Sequence, residues 1–133
     1  MTMFSEYTLV FDIDGTICPI KKPEERYEDL IPYQSMVEKM RYYKENGARI
    51  VLYTSRNMRT YGGNIGLINK NTAKVLLEWL DKWGIPYDEI HYGKPWAGRK
   101  GFYIDDRAVR PSEFLEKSAV ELEDISKTEA EKW

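Results

Sequence analysis

Short apolar runs alternate with segments of helical periodicity along this chain, and this alternation limits the possible folds more than any other feature. We interpret four apolar runs as strands: Tyr7 to Phe11, Arg49 to Tyr53, Tyr87 to His91 and Gly101 to Ile104. Helices are predicted from Pro32 to Asn46-Gly47, from Asn71 or Thr72 to Gly84, and from about Ser112 onwards. Because strands that alternate with helices form parallel sheets, the pattern predicts an α/β protein with a three-layer, Rossmann-like, mostly parallel sheet.

Two long segments lack a sustained period and are predicted as loops. Residues 16–31 are rich in proline and charge, and three glycines interrupt residues 57–71. Both segments leave the same edge of the predicted sheet, so we expect a flap over 16–31 and a loop over 57–71 to form a low rim there. Neither is long enough to fold alone, and we predict a single domain over residues 1–133 with no separate cap domain.

Composition excludes several classes of protein. Hydrophobic residues make up 42% of the 133 residues and charged residues 32%, as in ordinary globular chains. The apolar runs are strand-sized and the N-terminus lacks a secretory signal, so we expect no membrane span and a cytoplasmic location. The one cysteine, Cys18, excludes a disulfide scaffold and a zinc finger, and we interpret it as a small hydrophobic loop residue.

Charge is distributed unevenly along the chain. Residues 113–133 contain seven acids and three lysines, which leaves 17 basic and 15 acidic residues elsewhere. A slightly basic body is compatible with a phosphorylated substrate, whereas a duplex-binding protein would have a far more basic face. We interpret the acidic run as the solvated face of the last helix, whose inward residues are predicted to be Phe114, Leu115, Ala119 and Leu122.

Polar residues follow each predicted strand. They form the segments Asp12-Ile13-Asp14-Gly15-Thr16, Thr54-Ser55-Arg56, Gly93-Lys94-Pro95 and Ile104-Asp105-Asp106-Arg107. Ligands of open α/β sheets bind at the carboxyl ends of the strands, so these residues are expected to converge. Clustered acids repel one another and require a cation, and an all-oxygen ligand set selects Mg²⁺. The pattern therefore predicts a Mg²⁺ site formed by four acids: Asp12, Asp14, Asp105 and Asp106.

The same four segments, in this order, resemble the motifs of the haloacid dehalogenase superfamily of phosphohydrolases. The first motif, Asp-x-Asp-Gly-Thr, is matched by Asp12 to Thr16, and the second, an apolar run ending in Thr or Ser, by Ile50 to Thr54. The third, a lysine, is matched by Lys94, with Lys100 as the alternative. The fourth, an apolar run before paired acids, is matched by Phe102 to Asp106. This resemblance implies a haloacid dehalogenase-like fold over most of the chain.

The resemblance also implies catalytic roles. Asp12 would attack phosphorus to give an aspartyl-phosphate, and Asp14 would protonate the leaving oxygen and later activate water. Thr54 would hydrogen-bond the transferring phosphoryl group, and Lys94 would bind both that group and Asp12.

The remaining implied roles concern the metal and the substrate. Asp105 would bind Mg²⁺ together with Asp12 and the backbone carbonyl of Asp14, and Asp106 would act directly or through water. Four further residues are candidates for substrate binding: Gly15, Thr16, Ser55 and Arg56. For Arg56 a plain ion pair with an acid of the rim, such as Asp29, is an equal alternative.

Shorter strings suggest a substrate class. The strings Tyr53-Thr54-Ser55-Arg56, Gly93-Lys94-Pro95-Trp96 and Asp105-Asp106-Arg107 resemble the small cap-less phosphatases of capsule and polysaccharide biosynthesis. A sugar phosphate or small polyol phosphate is then the expected substrate. The Thr-x-Arg and Asp-Asp-Arg strings also resemble polynucleotide kinase-phosphatases, so a nucleic-acid 3′-phosphate is the alternative. A second alternative is a regulator of the same fold that binds a phosphorylated ligand without turnover.

Aromatic residues are frequent, with ten Tyr and four Trp. Six of them are more than one small core readily absorbs: Tyr33, Tyr42, Tyr43, Trp79, Trp83 and Trp96. Exposed aromatics mark interfaces, and a site without a cap needs some other cover. We therefore expect a homo-oligomer in which a neighbouring chain approaches the flap.

Overall fold

The structure, a computed structural model, describes residues 3–132 as two units, the first ending at Trp96 and the second beginning at Ala97. The first unit contains the sheet, whose three strands are β1 (Thr8–Phe11), β2 (Arg49–Thr54) and β3 (Glu89–Tyr92). They are parallel and lie in the order β1-β2-β3. The prediction of an α/β fold with a parallel sheet is confirmed.

The strand register places the ends of the strands together. Phe11 lies opposite Leu52, and Thr54 lies opposite Tyr92. Because all three strands run in one direction, the residues that follow Phe11, Thr54 and Tyr92 leave the sheet at the same edge.

Three helices belong to the first unit: α1 (Gln34–Glu45), α2 (Ile65–Asn71) and α3 (Ala73–Trp83). The predicted faces of α1 and α3 are buried, as Met36, Val37, Met40 and Tyr43 and as Leu76, Trp79 and Leu80. These residues share a core with Ile50 and Leu52 of β2, which are fully buried. Val10 of β1, whose side chain points to the other face of the sheet, is 61% exposed.

The prediction of a loop throughout residues 57–71 is wrong for its second half, which forms α2. The Asn64 side chain caps this helix by accepting a hydrogen bond from the backbone N–H of Leu67 at 3.1 Å. Ile68 is fully buried, and its burial together with the cap offsets the cost of Gly66 in the first turn, about 1 kcal/mol. Residues 57–63 remain irregular, with Asn57 at a φ of 62°.

The flap over residues 16–31 is irregular as predicted, apart from a 3₁₀ turn at Tyr27–Asp29. Both of its ends are nevertheless part of the core, because Ile17, Cys18 and Leu30 are buried. The indole Nε1–H of Trp79 donates a hydrogen bond of 2.7 Å to the Leu30 carbonyl. Cys18, interpreted from the sequence as a small hydrophobic loop residue, is fully buried.

The second unit contains two helices, α4 (Pro111–Glu116) and α5 (Ala119–Ala130). The predicted strand from Gly101 to Ile104 is wrong: this segment has no regular structure, and Ile104 is 95% exposed. A strand needs a neighbouring strand for its backbone hydrogen bonds, and residues 97–132 contain none.

The prediction of one C-terminal helix capped by Ser112 is also wrong. Helix α4 ends before Lys117, and a second helix, α5, begins after Ser118. Ser118 and Glu121 form a capping box, in which the Ser118 hydroxyl accepts from the Glu121 N–H and the Ser118 N–H donates to the Glu121 carboxylate. Phe114 is buried as predicted, but Ala119 and Leu122 are not, since no residue of α5 is buried. Throughout residues 3–132 no helix has both the length and the apolar character needed to cross a bilayer.

Candidate active site

The loop after β1 places two acids beside the edge of the sheet. Asp12 follows Phe11 directly, Ile13 is fully buried, and Asp14 is again partly exposed. Gly15 has a φ of 88°, which only glycine adopts without strain, and its N–H donates to the Cys18 carbonyl at 2.7 Å. This turn closes the loop and lets both carboxylates leave the strand on its solvent side.

Asp12 is held by a hydroxyl and an ammonium group. The Thr16 hydroxyl donates to Oδ2 of Asp12 at 3.2 Å, and Nζ of Lys94 lies 3.4 Å from Oδ1. Burial raises the pKa of the Asp12 carboxyl above its ordinary value, while Lys94 and Thr16 counteract part of that effect. The result is a weakly hydrated carboxylate with a cation beside it.

The position of Lys94 depends on the glycine before it. The Lys94 N–H donates to the Thr54 carbonyl at 3.1 Å, which extends the pairing of β2 with β3. Gly93 has a φ of 86°, and a Cβ there would lie 2.5 Å from Cδ1 of Ile65. Of the two candidate lysines, the structure brings Lys94 to Asp12; Lys100 belongs to the second unit.

Thr54 and Ser55 come next along the same edge. Thr54 ends β2 with only 1% of its surface exposed, and its Oγ1 accepts a hydrogen bond from the Arg56 N–H at 3.0 Å. The hydroxyl proton of Thr54 is therefore available to donate to an anion. The Ser55 carbonyl accepts from the Met58 N–H, which begins the turn over residues 55–58.

Asp14 is bound by Arg56. Nε of Arg56 donates to Oδ2 of Asp14 at 3.1 Å, and Nη2 donates to Oδ1 at 2.8 Å. Arg56 therefore forms an ion pair, as one of the two predictions has it, but its partner is Asp14 and not Asp29. Asp29 instead lies beside Arg26. Nothing local in the sequence indicates a pair between residues 42 positions apart.

Two further residues contact this pair and were not identified from the sequence as site residues. The Tyr27 ring lies under the Arg56 guanidinium, whose central carbon is 4.0 Å from the ring centroid. The Cys18 thiol lies 3.6 Å from Oδ1 of Asp14. Burial, then the Asp14 charge, raises the pKa of Cys18 to about 12, so the thiol stays protonated and is a poor nucleophile.

Asp105 and Asp106 lie in the second unit, where both are exposed. Oδ1 of Asp105 accepts a hydrogen bond from the Arg107 N–H at 2.8 Å. Within residues 3–132, no three His, Cys, Asp or Glu side chains form a group that could hold a metal ion. Proteins usually hold Mg²⁺ through one or two carboxylates with water and phosphate oxygens completing the shell. Asp12 fits that pattern, because it is a partly buried carboxylate that an added cation would stabilise.

The fold and the site define an α/β protein with a carboxylate, a lysine and a threonine hydroxyl at the carboxyl edge of a parallel sheet. No family model matches the chain, and no curated protein matches it. The crystal structure of an MCSG target from Vibrio cholerae does match, with 46% sequence identity and a TM-score of 0.87. The alignment covers 92% of this chain and 98% of that one, so the chain belongs to the same family as the Vibrio cholerae protein. The name of that protein states no activity.

Proposed function

We propose that this protein is a Mg²⁺-dependent phosphomonoesterase with a haloacid dehalogenase-like, three-layer fold. The observation that carries the proposal is the environment of Asp12. This carboxylate lies at the carboxyl edge of the sheet, 3.4 Å from the Lys94 ammonium and 3.2 Å from the Thr16 hydroxyl. The motif resemblance from Asp12 to Asp106 assigns the same residue as the nucleophile.

Asp12 is suited to nucleophilic attack in this environment. Burial removes part of its hydration, which would otherwise have to be stripped before an oxygen could reach phosphorus. Lys94 counteracts the rise that burial causes in the pKa of Asp12, and it would bind the phosphoryl oxygens as negative charge accumulates on them. Attack forms a bond between an Asp12 oxygen and phosphorus and breaks the bond from phosphorus to the leaving oxygen.

Asp14 would carry the proton in both halves of the reaction. In the first half Asp14, in its protonated form, would give its proton to the leaving oxygen. In the second half it takes a proton from the water whose oxygen attacks the phosphorus of the aspartyl-phosphate, which releases phosphate and restores Asp12. The Thr54 hydroxyl would donate to the phosphoryl group during both halves.

The proposal includes Mg²⁺ as cofactor. Asp12 and the backbone carbonyl of Asp14 would hold the ion, and the motif resemblance assigns Asp105 to the same role, with Asp106 acting directly or through water. When bound, Mg²⁺ supplies positive charge that neutralises the phosphate dianion.

A sugar phosphate or small polyol phosphate is the proposed substrate. The slightly basic body of the chain and the short strings around Arg56, Lys94 and Asp105 support this choice. Hydrolysis rates for a panel of sugar, polyol and nucleotide phosphates, together with a 3′-phosphorylated oligonucleotide, would rank the candidates. Preference for the oligonucleotide would replace this substrate class with the nucleic-acid alternative.

The test of the function is hydrolysis of p-nitrophenyl phosphate with Mg²⁺ and with EDTA. We expect the activity to require Mg²⁺ and to fall by at least ~10³-fold in Asp12→Asn, because the variant lacks the attacking oxygen anion. Asp29→Asn is the matched control, since it makes the same change at an exposed acid of the flap. Wild-type turnover in Asp12→Asn, or turnover that EDTA leaves unchanged, would contradict the proposal.

A further inference from the structure

Arg56 is buried in a way that stability alone does not explain. Only 1% of its side-chain surface is exposed, and its Nη1 finds no hydrogen-bond partner among the described residues. Leaving a buried charged donor unpaired costs free energy, so a chain retains such an arrangement where the group has another use.

The other two nitrogens of the Arg56 guanidinium both donate to one carboxylate. Nε and Nη2 bind different oxygens of Asp14, at 3.1 Å and 2.8 Å. A planar guanidinium that binds both oxygens fixes the rotation of the carboxylate as well as its position, which a lysine ammonium cannot do.

Tyr27 fixes the guanidinium in turn. Its ring lies 4.0 Å from the central carbon of Arg56, and the turn that carries it is attached to α3 through the hydrogen bond from Trp79 to the Leu30 carbonyl. On the other side, Thr54 accepts the backbone N–H of Arg56. The flap, the end of β2 and the loop after β1 therefore meet at this one side chain.

We infer that Arg56 and Tyr27 are positioning residues that set the direction of the Asp14 carboxylate for proton transfer. The inference rests on the proposed function, in which Asp14 gives its proton to the leaving oxygen. Neither residue is required to touch the phosphate. Loss of either residue should therefore lower kcat/KM most for the substrates whose leaving group most needs a proton.

The experiment compares kcat/KM for two substrates, p-nitrophenyl phosphate and glycerol phosphate. Nitrophenolate leaves readily as an anion, whereas a glycerol oxygen must be protonated as its bond to phosphorus breaks. Since positioned acid catalysis contributes about 10²–10⁴-fold, we expect the ratio of nitrophenyl to glycerol kcat/KM to rise at least ~10-fold in Arg56→Lys and Tyr27→Ala.

Two matched variants separate the positioning role from general damage. Tyr27→Phe keeps the ring under the guanidinium and should keep the wild-type ratio. Lys21→Ala removes a second cation over the Tyr27 ring, whose Nζ lies 5.3 Å from the ring centroid on a half-buried residue, and should also leave the ratio unchanged.

A second measurement uses the thiol of Cys18, which is fully buried 3.6 Å from Asp14. Labelling with a chromogenic disulfide in the absence of substrate reports whether the loop around Asp14 opens. We expect at least ~10-fold faster labelling in Tyr27→Ala than in Tyr27→Phe, measured well below the melting temperature of each variant, because local opening without global unfolding controls access.

The outcomes are distinguishable. Equal loss of kcat/KM on both substrates, or labelling as slow in Tyr27→Ala as in Tyr27→Phe, would overturn the inference while leaving the phosphatase proposal intact. A wild-type protein without Mg²⁺-dependent activity, or an Asp12→Asn variant with full activity, would overturn the proposed function and the positioning role with it.

Discussion

The Asp12 carboxylate lies in a position that favours its neutral form. Burial raises its pKa, so the folded protein binds the proton of Asp12 more tightly than the unfolded chain does. The ionised group therefore opposes folding at neutral pH. This opposition decreases as the pH falls from the raised pKa toward the ordinary value of an aspartate.

It follows that Asp12→Asn should be more stable than the wild type at neutral pH. The amide has nearly the same shape as the carboxylate and removes the buried charge, so we expect a higher melting temperature in EDTA. The difference should shrink as the pH falls through the raised pKa of the folded protein toward the ordinary pKa of an aspartate, because the wild-type group then becomes protonated in the folded state. Thermal unfolding across this pH range measures it.

Asp29→Asn is again the control and should show no such pH-dependent gain. A melting temperature of Asp12→Asn below that of the wild type at neutral pH would mean that the contacts of Asp12 with Lys94 and Thr16 outweigh its burial. A more stable but inactive variant would also show that loss of activity does not arise from misfolding.

At the scale of elements, α5 depends on local interactions more than any other helix of the chain. None of its residues is buried, so packing contributes little to its stability. The capping box between Ser118 and Glu121 is then a large share of what holds the helix.

Ser118→Ala should therefore unfold α5 selectively. Loss of an N-cap hydroxyl costs about 0.5–2 kcal/mol, and we expect faster hydrogen exchange along α5 together with lower helicity. Ser112→Ala is the matched control, because Ser112 is exposed and follows Pro111 inside α4 without capping it. Equal effects of the two substitutions would show that the cap is unimportant.

The elements that the sequence predicts well carry strong local signals. β1, β2, α1 and α3 combine an apolar period with clear stop signals such as Gly47 and Gly84. α2 is harder to predict because Gly66 argues against a helix, whereas its cap at Asn64 and the burial of Ile68 depend on the fold. The capping box at Ser118 has a local sequence signature, Ser-x-x-Glu, which competes with Ser112 as the start of a helix.

In the candidate site, too, residues next to the strand ends can be predicted from the sequence, whereas contacts between distant segments cannot. Asp12, Thr16 and the choice of Lys94 follow from where the strands end, and the structure brings these three together. The pair of Arg56 with Asp14 could not be predicted, because it depends on how a flap residue, Tyr27, packs against a distant loop.

At the scale of the whole molecule, the aromatic surplus is partly explained by the core. Tyr43 and Trp79 are buried, whereas Tyr33, Tyr42 and Trp96 are each more than two-fifths exposed. These three exposed aromatic residues support the expectation of an interface with another chain.

We predict that the protein is a homo-oligomer, at least a dimer, at assay concentrations. Light scattering should give a mass of two or more chains, and specific activity on small phosphates should fall on dilution if a neighbouring chain narrows access to the site. A monomer with full activity at every dilution would contradict this prediction. The wild-type protein at high concentration serves as the reference for each diluted sample.

The hydrogen bond from Trp79 to the Leu30 carbonyl determines how the flap can move. Swinging the whole segment outward would leave that buried carbonyl without a partner and would pull Ile17 and Leu30 from the core. Opening is therefore confined to the exposed middle of the flap, between its two anchored ends. If the site hydrolyses phosphate esters as proposed, substrates would reach Asp12 past this middle stretch, and its length would limit the size of the ester that the site admits.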